Sequence, residues 1–202
     1  MARRTDHSRE ELLELVVDAG TRIIAEEGIG AMTARKVASA IGYSPGSIYN
    51  VVENIDALIA HVNTRTMRAL NAELDRIGMT GELRTDVQAV VDAMVDFQSR
   101  NRRLWTANVT HAARREVSQP EAYLAEVERA TIFAEKTIAP AFKEQSEDRG
   151  RLAVIVLWAS LQGIITMSSA AGILNNSPQT TRELAHYLVE TFLRGIARDD
   201  DR

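Results

Sequence analysis

The 202-residue sequence contains no cysteine, only four prolines and few aromatic residues. The absence of cysteine excludes disulfide bonds, thiolate catalysis and cysteine-ligated metals, and it fits the reducing cytoplasm. The four histidines are scattered, and neither a His-Glu-x-x-His motif nor a glycine-rich phosphate loop occurs. We therefore expect a cytoplasmic protein that is not an enzyme and that uses no metal or other cofactor.

The sequence also lacks an excess of positive charge, because 28 acidic residues outnumber 24 lysines and arginines and the formal net charge is −4. This balance argues against indiscriminate nucleic-acid binding, but local charge matters more, since attraction to phosphates fades over a Debye length of ~10 Å. Basic residues gather at two places, namely Arg3, Arg4 and Arg9 near the start and Arg35 and Lys36 further along. Such a cluster is either a contact surface for phosphates or an ordinary solvated patch.

Residues 33–50 contain two very short helical patterns that meet at a glycine. Thr33 is a suitable N-cap for the first helix, and Gly42 can take the left-handed conformation that ends it. Ser44 can cap the second helix, and Pro45 suits its first turn because the missing N–H would be unbonded there anyway. Helices of about two turns are unstable alone, so these two must pack on each other and on neighbours, as in a helix-turn-helix.

The other segments repeat their apolar residues with helical periodicity and sustain no alternating strand pattern, so we predict an all-α fold. A capping box at Ser8 opens the first helix, and a long helix runs from about Ile55 to Ile77. These signals divide the chain into residues 1–54, a connecting helix over 55–78 and a larger helical part over 79–202. The larger part contains helical patterns over about 82–99, through Trp105 and Val109, over 120–144 with a break at Pro140, and over 151–174 and 180–197.

This pattern resembles the tetracycline-repressor (TetR) family of transcription regulators. The matching residues, which span about residues 8–62, include Gly28, Thr33, Val37, Ala38, Gly42, Ser44, Gly46, Ile48, Tyr49 and Leu58. The resemblance implies that residues 1–54 form a three-helix DNA-binding domain with a helix-turn-helix. It implies that residues 79–202 form a helical ligand-binding and dimerisation domain. It also implies a homodimer that binds double-stranded operator DNA.

Two parts of the sequence depart from the family pattern. The His-Phe pair that commonly follows the tyrosine, and a nearby lysine that touches phosphate, are replaced here by Val51, Val52 and Ile55. In residues 157–163, which are similar to a Trp-x-x-x-His-Gly signature, Gln162 replaces the histidine. Backbone contacts must therefore come from other residues, and a histidine-based ligand contact is not expected.

The motif and the resemblance together indicate which residues bind DNA. We expect Tyr49 and Arg35 to contact phosphates, whereas Ser47 and Asn50 read base edges. A tyrosine that packs beneath the turn is the alternative for Tyr49. The small first turn of the recognition helix leaves direct readout sparse, so DNA shape contributes to specificity. The complete set is Thr33, Arg35, Lys36, Tyr43, Ser44, Pro45, Gly46, Ser47, Tyr49, Asn50 and Asn54.

Residues 152–174 form an apolar run of about the ~20 residues that span a bilayer. Polar residues such as Gln162 and Thr166 lower its hydrophobicity, and the sequence has no second run of this kind. We therefore favour a helix that packs inward on its own domain and outward on a second copy, without a membrane. With the helix that begins near Thr180, it would form the four-helix dimer interface that the resemblance implies.

A ligand pocket is expected among the helices of residues 82–167. Its candidate lining is apolar with a few polar tips, which suits an amphipathic organic effector, although each residue is also a candidate for plain core packing. The lining residues are Met94, Phe97, Trp105, His111, Tyr123, Phe133, Trp158, Gln162 and Met167. The sequence thus favours a ligand-responsive repressor released from a palindromic operator by its effector. The alternative is a helix-turn-helix protein with no small-molecule effector.

Overall fold

The computed structural model describes residues 7–114, 116, 118–142, 147–169 and 177–199. Within these residues the chain forms nine α-helices and no strand, which confirms the all-α prediction. Arg3, Arg4, Arg115 and the end of the predicted helix over 151–174 lie outside the described residues. The helices are α1 (Arg9–Glu27), α2 (Ala34–Ile41), α3 (Pro45–Ile48), α4 (Ile55–Leu74), α5 (Leu83–Arg100), α6 (Arg102–Ala112), α7 (Glu121–Ile138), α8 (Glu147–Ser169) and α9 (Pro178–Asp199).

The chain divides into two compact units, and the chain passes between them inside α4, between α5 and α6, and inside α7. The first unit contains Met1–Ala69 and Asn101–Glu126, and the second contains Leu70–Arg100 and Val127–Arg202. These units are defined by which helices pack together, and α6 belongs with the N-terminal helices. The predicted boundaries at residues 54 and 78 instead mark the two ends of the connecting helix. The three-part functional division stays a prediction.

The core of the first unit joins α1, α2, α3 and the start of α4. Val16 and Ile24 of α1, Val37 of α2, Ile48 of α3 and Leu58 of α4 are all fully buried in it. Burial of one such side chain stabilises the fold by about 1.5–3 kcal/mol. The one-turn helix α3 is too short to be stable alone, so Ile48 anchors it to the rest of the unit.

The start of α6 packs against the end of α1 in the same unit. The guanidinium of Arg103 donates to the carbonyl oxygens of Ala25 (3.3 Å) and Glu26, two of the last carbonyls of α1. These carbonyls have no partner inside the helix, and a positive charge also suits the negative end of the helix dipole. Arg103 therefore acts as the C-terminal cap of α1 and fixes α6 against it.

The core of the second unit is formed by α5, α8 and α9. Val91 and Val95 of α5, Leu161 of α8, and Ala185 and Val189 of α9 are buried together. Arg182 on α9 adds ion pairs with Asp92 (3.1 Å) and Asp96 on α5. These pairs are partly exposed, so the apolar contacts contribute more to stability.

One predicted helix break is confirmed, and one predicted helix end differs by a few residues. The predicted break at Pro140 is confirmed, because α7 stops at Ile138 and a 3₁₀ turn, Ala139–Phe142, follows it. The connecting helix ends at Leu74 rather than Ile77, because the amides of Arg76 and Ile77 bond to carbonyls three residues back instead of four. The last turn is therefore tighter than an α-helix.

Candidate nucleic-acid interface

The corner between α2 and α3 is held by backbone hydrogen bonds. Gly42 adopts the left-handed conformation (φ 73°), and its amide and that of Tyr43 (2.9 Å) both donate to the carbonyl of Ala38. The Ser44 hydroxyl then accepts from the amide of Ser47 at 3.3 Å and so caps α3. The three predicted caps of this motif, including Thr33, which accepts from the Lys36 amide at 3.2 Å, are all present. The corner therefore presents the first turn of α3 in a defined orientation.

Small residues dominate the exposed first turn of α3. Ser44, Pro45 and Gly46 are exposed, and Ser47 is half-buried with its Oγ 2.9 Å from the Oγ of Ser44. Such a turn allows the backbone to approach base edges closely, but it offers no bidentate side chain to a base. Tyr49 and Asn50 follow at the end of α3, and both are exposed.

The two basic residues of α2 differ in what surrounds them. Arg35 is exposed and forms no ion pair with any described residue. Lys36 is paired with Glu27, which balances its charge. Arg35 is therefore the better placed of the two for a phosphate contact.

The start of α4 is capped and carries a charge cluster. The side-chain oxygen of Asn54 accepts from the amide of Ala57 at 2.8 Å, so this predicted DNA-binding residue also serves as the N-cap of α4. Asp56 in the first turn accepts from Arg114 at 2.7 Å. Val51 and Val52 are buried in the core of the first unit. These two residues, which replace the family's His-Phe pair, therefore stabilise the fold.

His111, a predicted ligand residue, is fully buried between these charges. Its Nδ1 lies 3.3 Å from Nδ2 of Asn63, and its Nε2 lies 3.4 Å from Oδ1 of Asp56. Burial lowers the pKa of His111, the carboxylate of Asp56 opposes that shift, and the charge of Arg114 adds to it. The imidazole is therefore neutral at pH 7 and joins α6 to α4 inside the first unit.

Two family models match the sequence, one in each part of the chain. Residues 16–62 match the model described as bacterial regulatory proteins of the tetR family, and residues 87–192 match the tetracyclin repressor-like C-terminal domain. The chain belongs to the TetR family of transcriptional regulators. Members of this family act by binding DNA rather than as enzymes, so the helix-turn-helix built by α2 and α3 is its DNA-binding element.

Solved structures show the same TetR fold at low sequence identity. A transcriptional regulator from Rhodococcus sp. Rha1 is 16% identical, with a TM-score of 0.70, and the match covers 91% of this chain and 96% of that one. The TetR family transcriptional regulator PfmR from Thermus thermophilus is 14% identical, with a TM-score of 0.62 and coverages of 89% and 97%. The fatty acid degradation regulator FadR from Bacillus halodurans is 14% identical, with a TM-score of 0.63 and coverages of 88% and 93%. No curated protein sequence matches the chain.

An apolar cavity of about 40 Å³ lies in the second unit, between α5, α7 and α8. Of the nine predicted pocket residues, Met94 and Trp158 line it. The remaining lining is mostly aliphatic, and Thr137 adds a hydroxyl group to it. Sequence periodicity could not single out these residues, because a valine that lines a cavity and a valine in a filled core have the same pattern.

The other predicted pocket residues are placed elsewhere. Trp105, His111 and Tyr123 are buried in the first unit, and Phe97 is buried in the second without lining the cavity. Phe133 and Gln162 are half-buried, and Met167 is exposed. Which of the nine contact a ligand stays a prediction.

One face of α8 packs inside the second unit, and another face is apolar and exposed; that a second copy covers the exposed face, as the sequence led us to expect, stays a prediction. The exposed residues of this outward face are Leu152, Ile155, Val156, Trp158, Ala159, Gly163 and Met167 on α8, with Leu184 and Tyr187 on α9. The segment Asp148–Ser168 is long and apolar enough to cross a bilayer, with a mean hydropathy of 1.5, but core helices of soluble proteins meet the same test.

Proposed function

We propose that this TetR-family regulator is a cytoplasmic homodimeric repressor that binds a palindromic operator and is released by a small amphipathic effector. The outward face of α8 and α9 is the observation that carries the proposal. Apolar patches of this extent on soluble proteins mark sites of association. A second copy related by two-fold symmetry would cover the same face on both chains and form a four-helix interface.

The spacing of residues along α8 supports this reading of the outward face. Leu152, Ile155, Val156, Ala159 and Gly163 recur at three- and four-residue intervals, so they form one stripe along the helix. Nothing lies within 4 Å of where a Cβ of Gly163 would be. A facing helix could therefore approach α8 closely at this point.

The short recognition helix supports a palindromic operator. One turn of small residues at α3 can read only a few base pairs, which gives weak discrimination for a single copy. A two-fold dimer places a second α3 about one helical turn of DNA away, roughly 34 Å. Two half-sites read together supply the affinity and the specificity that one lacks.

The cavity of the second unit supports release by an effector. A volume of about 40 Å³ is smaller than an organic effector. Such a molecule can bind only to a conformation in which α5, α7 and α8 have separated, and its binding therefore favours that conformation over the compact one. A coupling of ~1–3 kcal/mol between effector and operator would weaken DNA binding about 5- to 150-fold.

Charge placed on the outward face tests the dimer. Val156 is 54% exposed on that face, and Leu124 of α7 is a matched control at 53% exposure. We expect Val156→Asp to produce a monomer that loses the operator, because a buried unpaired charge is strongly unfavourable in an interface. Leu124→Asp should remain a dimer, as measured by light scattering and operator titration. A dimeric Val156→Asp variant would contradict the assignment of this face.

Operator titration in the presence of compounds tests the regulatory half of the proposal. A panel of amphipathic molecules is first screened for binding to the full-length protein by its thermal shift, and each binder is then added to the operator complex. At least one binder should weaken operator affinity. If none of the binders does, the protein is a helix-turn-helix regulator without a small-molecule effector.

A further inference from the structure

His7 reaches from the start of α1 to the corner of the helix-turn-helix. Its Nδ1 lies 2.8 Å from the hydroxyl of Tyr43, and the two ring centroids are 6.2 Å apart with their planes tilted by 50°. Tyr43 directly precedes Ser44, the N-cap of α3, and its own amide is bonded to Ala38. The imidazole is thus fixed beside the first turn of the recognition helix.

This contact is not required to begin α1. The capping box between Ser8 and Glu11 already provides acceptors for backbone amides at the start of α1. The Ser8 amide donates to Oε2 of Glu11 at 2.6 Å, and the Ser8 hydroxyl accepts from the Glu11 amide at 3.2 Å. The His7–Tyr43 bond is exposed. Both groups would otherwise bond to water, so the bond adds little to the stability of the fold.

The bond to Tyr43 leaves a defined donor on the other ring nitrogen. When the Tyr43 hydroxyl donates to Nδ1, the ring proton of neutral His7 is on Nε2, and in the protonated ring Nε2 also carries hydrogen. Nε2 forms no hydrogen bond with any described residue. A DNA phosphate is the acceptor that the neighbouring recognition helix brings to this position.

We propose that His7 is a further DNA-binding residue, which donates from Nε2 to a backbone phosphate beside α3 while Tyr43 positions its ring. The proposal rests on the role of α3 in DNA binding. It gives the Tyr43 hydroxyl a positioning role within the predicted DNA-binding set. Nothing in the local sequence signals this pair, because the two residues are 36 positions apart.

Acidic residues of α1 lie close to His7. Glu10, Glu11, Glu14 and Asp18 line the same surface depression as His7. Glu14 and Asp18 are paired with Arg65, whereas Glu11 is held by Ser8. The Nε2 donor of His7 is therefore the favourable contact that this part of the surface offers to a phosphate.

The test compares operator binding by the native protein and by His7→Gln, His7→Ala and Tyr43→Phe. His61→Gln is the control, because His61 is an exposed histidine on α4 without a hydrogen bond to Tyr43. We expect both His7 variants to weaken binding roughly 3- to 10-fold, which is what one exposed hydrogen bond supplies. The loss should be equal for operator and unrelated DNA. The Tm of both variants should stay at the native value, because the lost bond to Tyr43 is exposed.

Three outcomes would overturn the inference. His7 variants that bind with native affinity lack the contact. A loss of affinity that accompanies a lower Tm assigns His7 a purely structural role, and a changed base preference assigns it to base readout. Arg35→Ala is the reference for the DNA-binding role of the domain, because it should weaken DNA binding whether or not His7 contacts a phosphate. If Arg35→Ala weakens binding and the His7 variants do not, only the His7 proposal fails. A native protein that binds no DNA would defeat both proposals.

Discussion

Removing the Tyr49 hydroxyl or the Arg35 guanidinium should lower the affinity for DNA without changing its sequence specificity. Tyr49 ends α3 with 51% of its side chain exposed, and its hydroxyl forms no hydrogen bond with a described residue. Arg35 is exposed on α2 without an ion pair to a described residue. Neither side chain supports the core, so Tyr49→Phe and Arg35→Ala should leave the stability within about 0.5 kcal/mol of native.

The magnitude follows from the kind of contact that each group can make. A phosphate hydrogen bond from the Tyr49 hydroxyl contributes about 0.5–1.5 kcal/mol, so Tyr49→Phe should weaken binding roughly 2- to 12-fold. Arg35→Ala removes a charge as well, and the salt slope should become shallower by about 0.9. Both losses should be the same for operator and unrelated DNA, because phosphates carry no sequence information. Asn50→Ala is the contrasting variant, since its loss should differ between operator sequences.

Titrations by fluorescence anisotropy at several salt concentrations measure these effects. The result that would refute the reasoning is a Tyr49→Phe variant with native affinity and altered base preference, because the roles of Tyr49 and Asn50 would then be exchanged. A Tyr49→Phe variant with a clearly lower Tm would instead support the alternative in which this tyrosine packs beneath the turn.

Three further predictions concern stability and the cavity. The pKa of His111 is lower in the folded protein than in the unfolded chain, so the unfolded state binds more protons. The free energy of unfolding should therefore fall as the pH drops below about 6.5, by at most ~1.4 kcal/mol per pH unit. Urea unfolding at fixed protein concentration should show a weaker pH dependence for His111→Gln than for the native protein. Gly42→Ala should destabilise the corner by about 1 kcal/mol because of its φ of 73°, with a matching fall in the urea midpoint. Ala134→Leu fills the cavity of about 40 Å³, so it should reduce the effector response while operator binding persists. Ile132→Ala, at an exposed position on the same helix, is the control and should change neither the effector response nor operator binding.

The helix-turn-helix could be predicted from the sequence because its signals act within one helical turn. The caps Thr33 and Ser44 and the left-handed Gly42 each satisfy backbone groups only a few residues away. The pairing of Lys36 with Glu27 and the bond between His7 and Tyr43 could not be predicted in this way. Both depend on how separate helices pack, which no local pattern records.

The cavity of the second unit was harder to predict than the fold for a related reason. Residues such as Val87 and Val91 line the cavity and also belong to the core of the second unit, so helical periodicity describes both roles equally well. The apolar run of α8 shows a similar ambiguity. The sequence marks Val156 and Leu157 alike as apolar, but the first is exposed and the second is buried.

The small recognition turn has a consequence for regulation in the proposed dimer. Ser44, Pro45 and Gly46 place no long side chain in the groove, so each half-site contributes little affinity by itself. Most of the affinity must then come from simultaneous binding of both α3 helices, where the second contact benefits from the high effective concentration set by the first. That benefit is lost when the spacing between the two helices no longer matches the operator. An effector therefore needs only to shift this spacing, without touching any DNA-binding residue, to release the protein from its site.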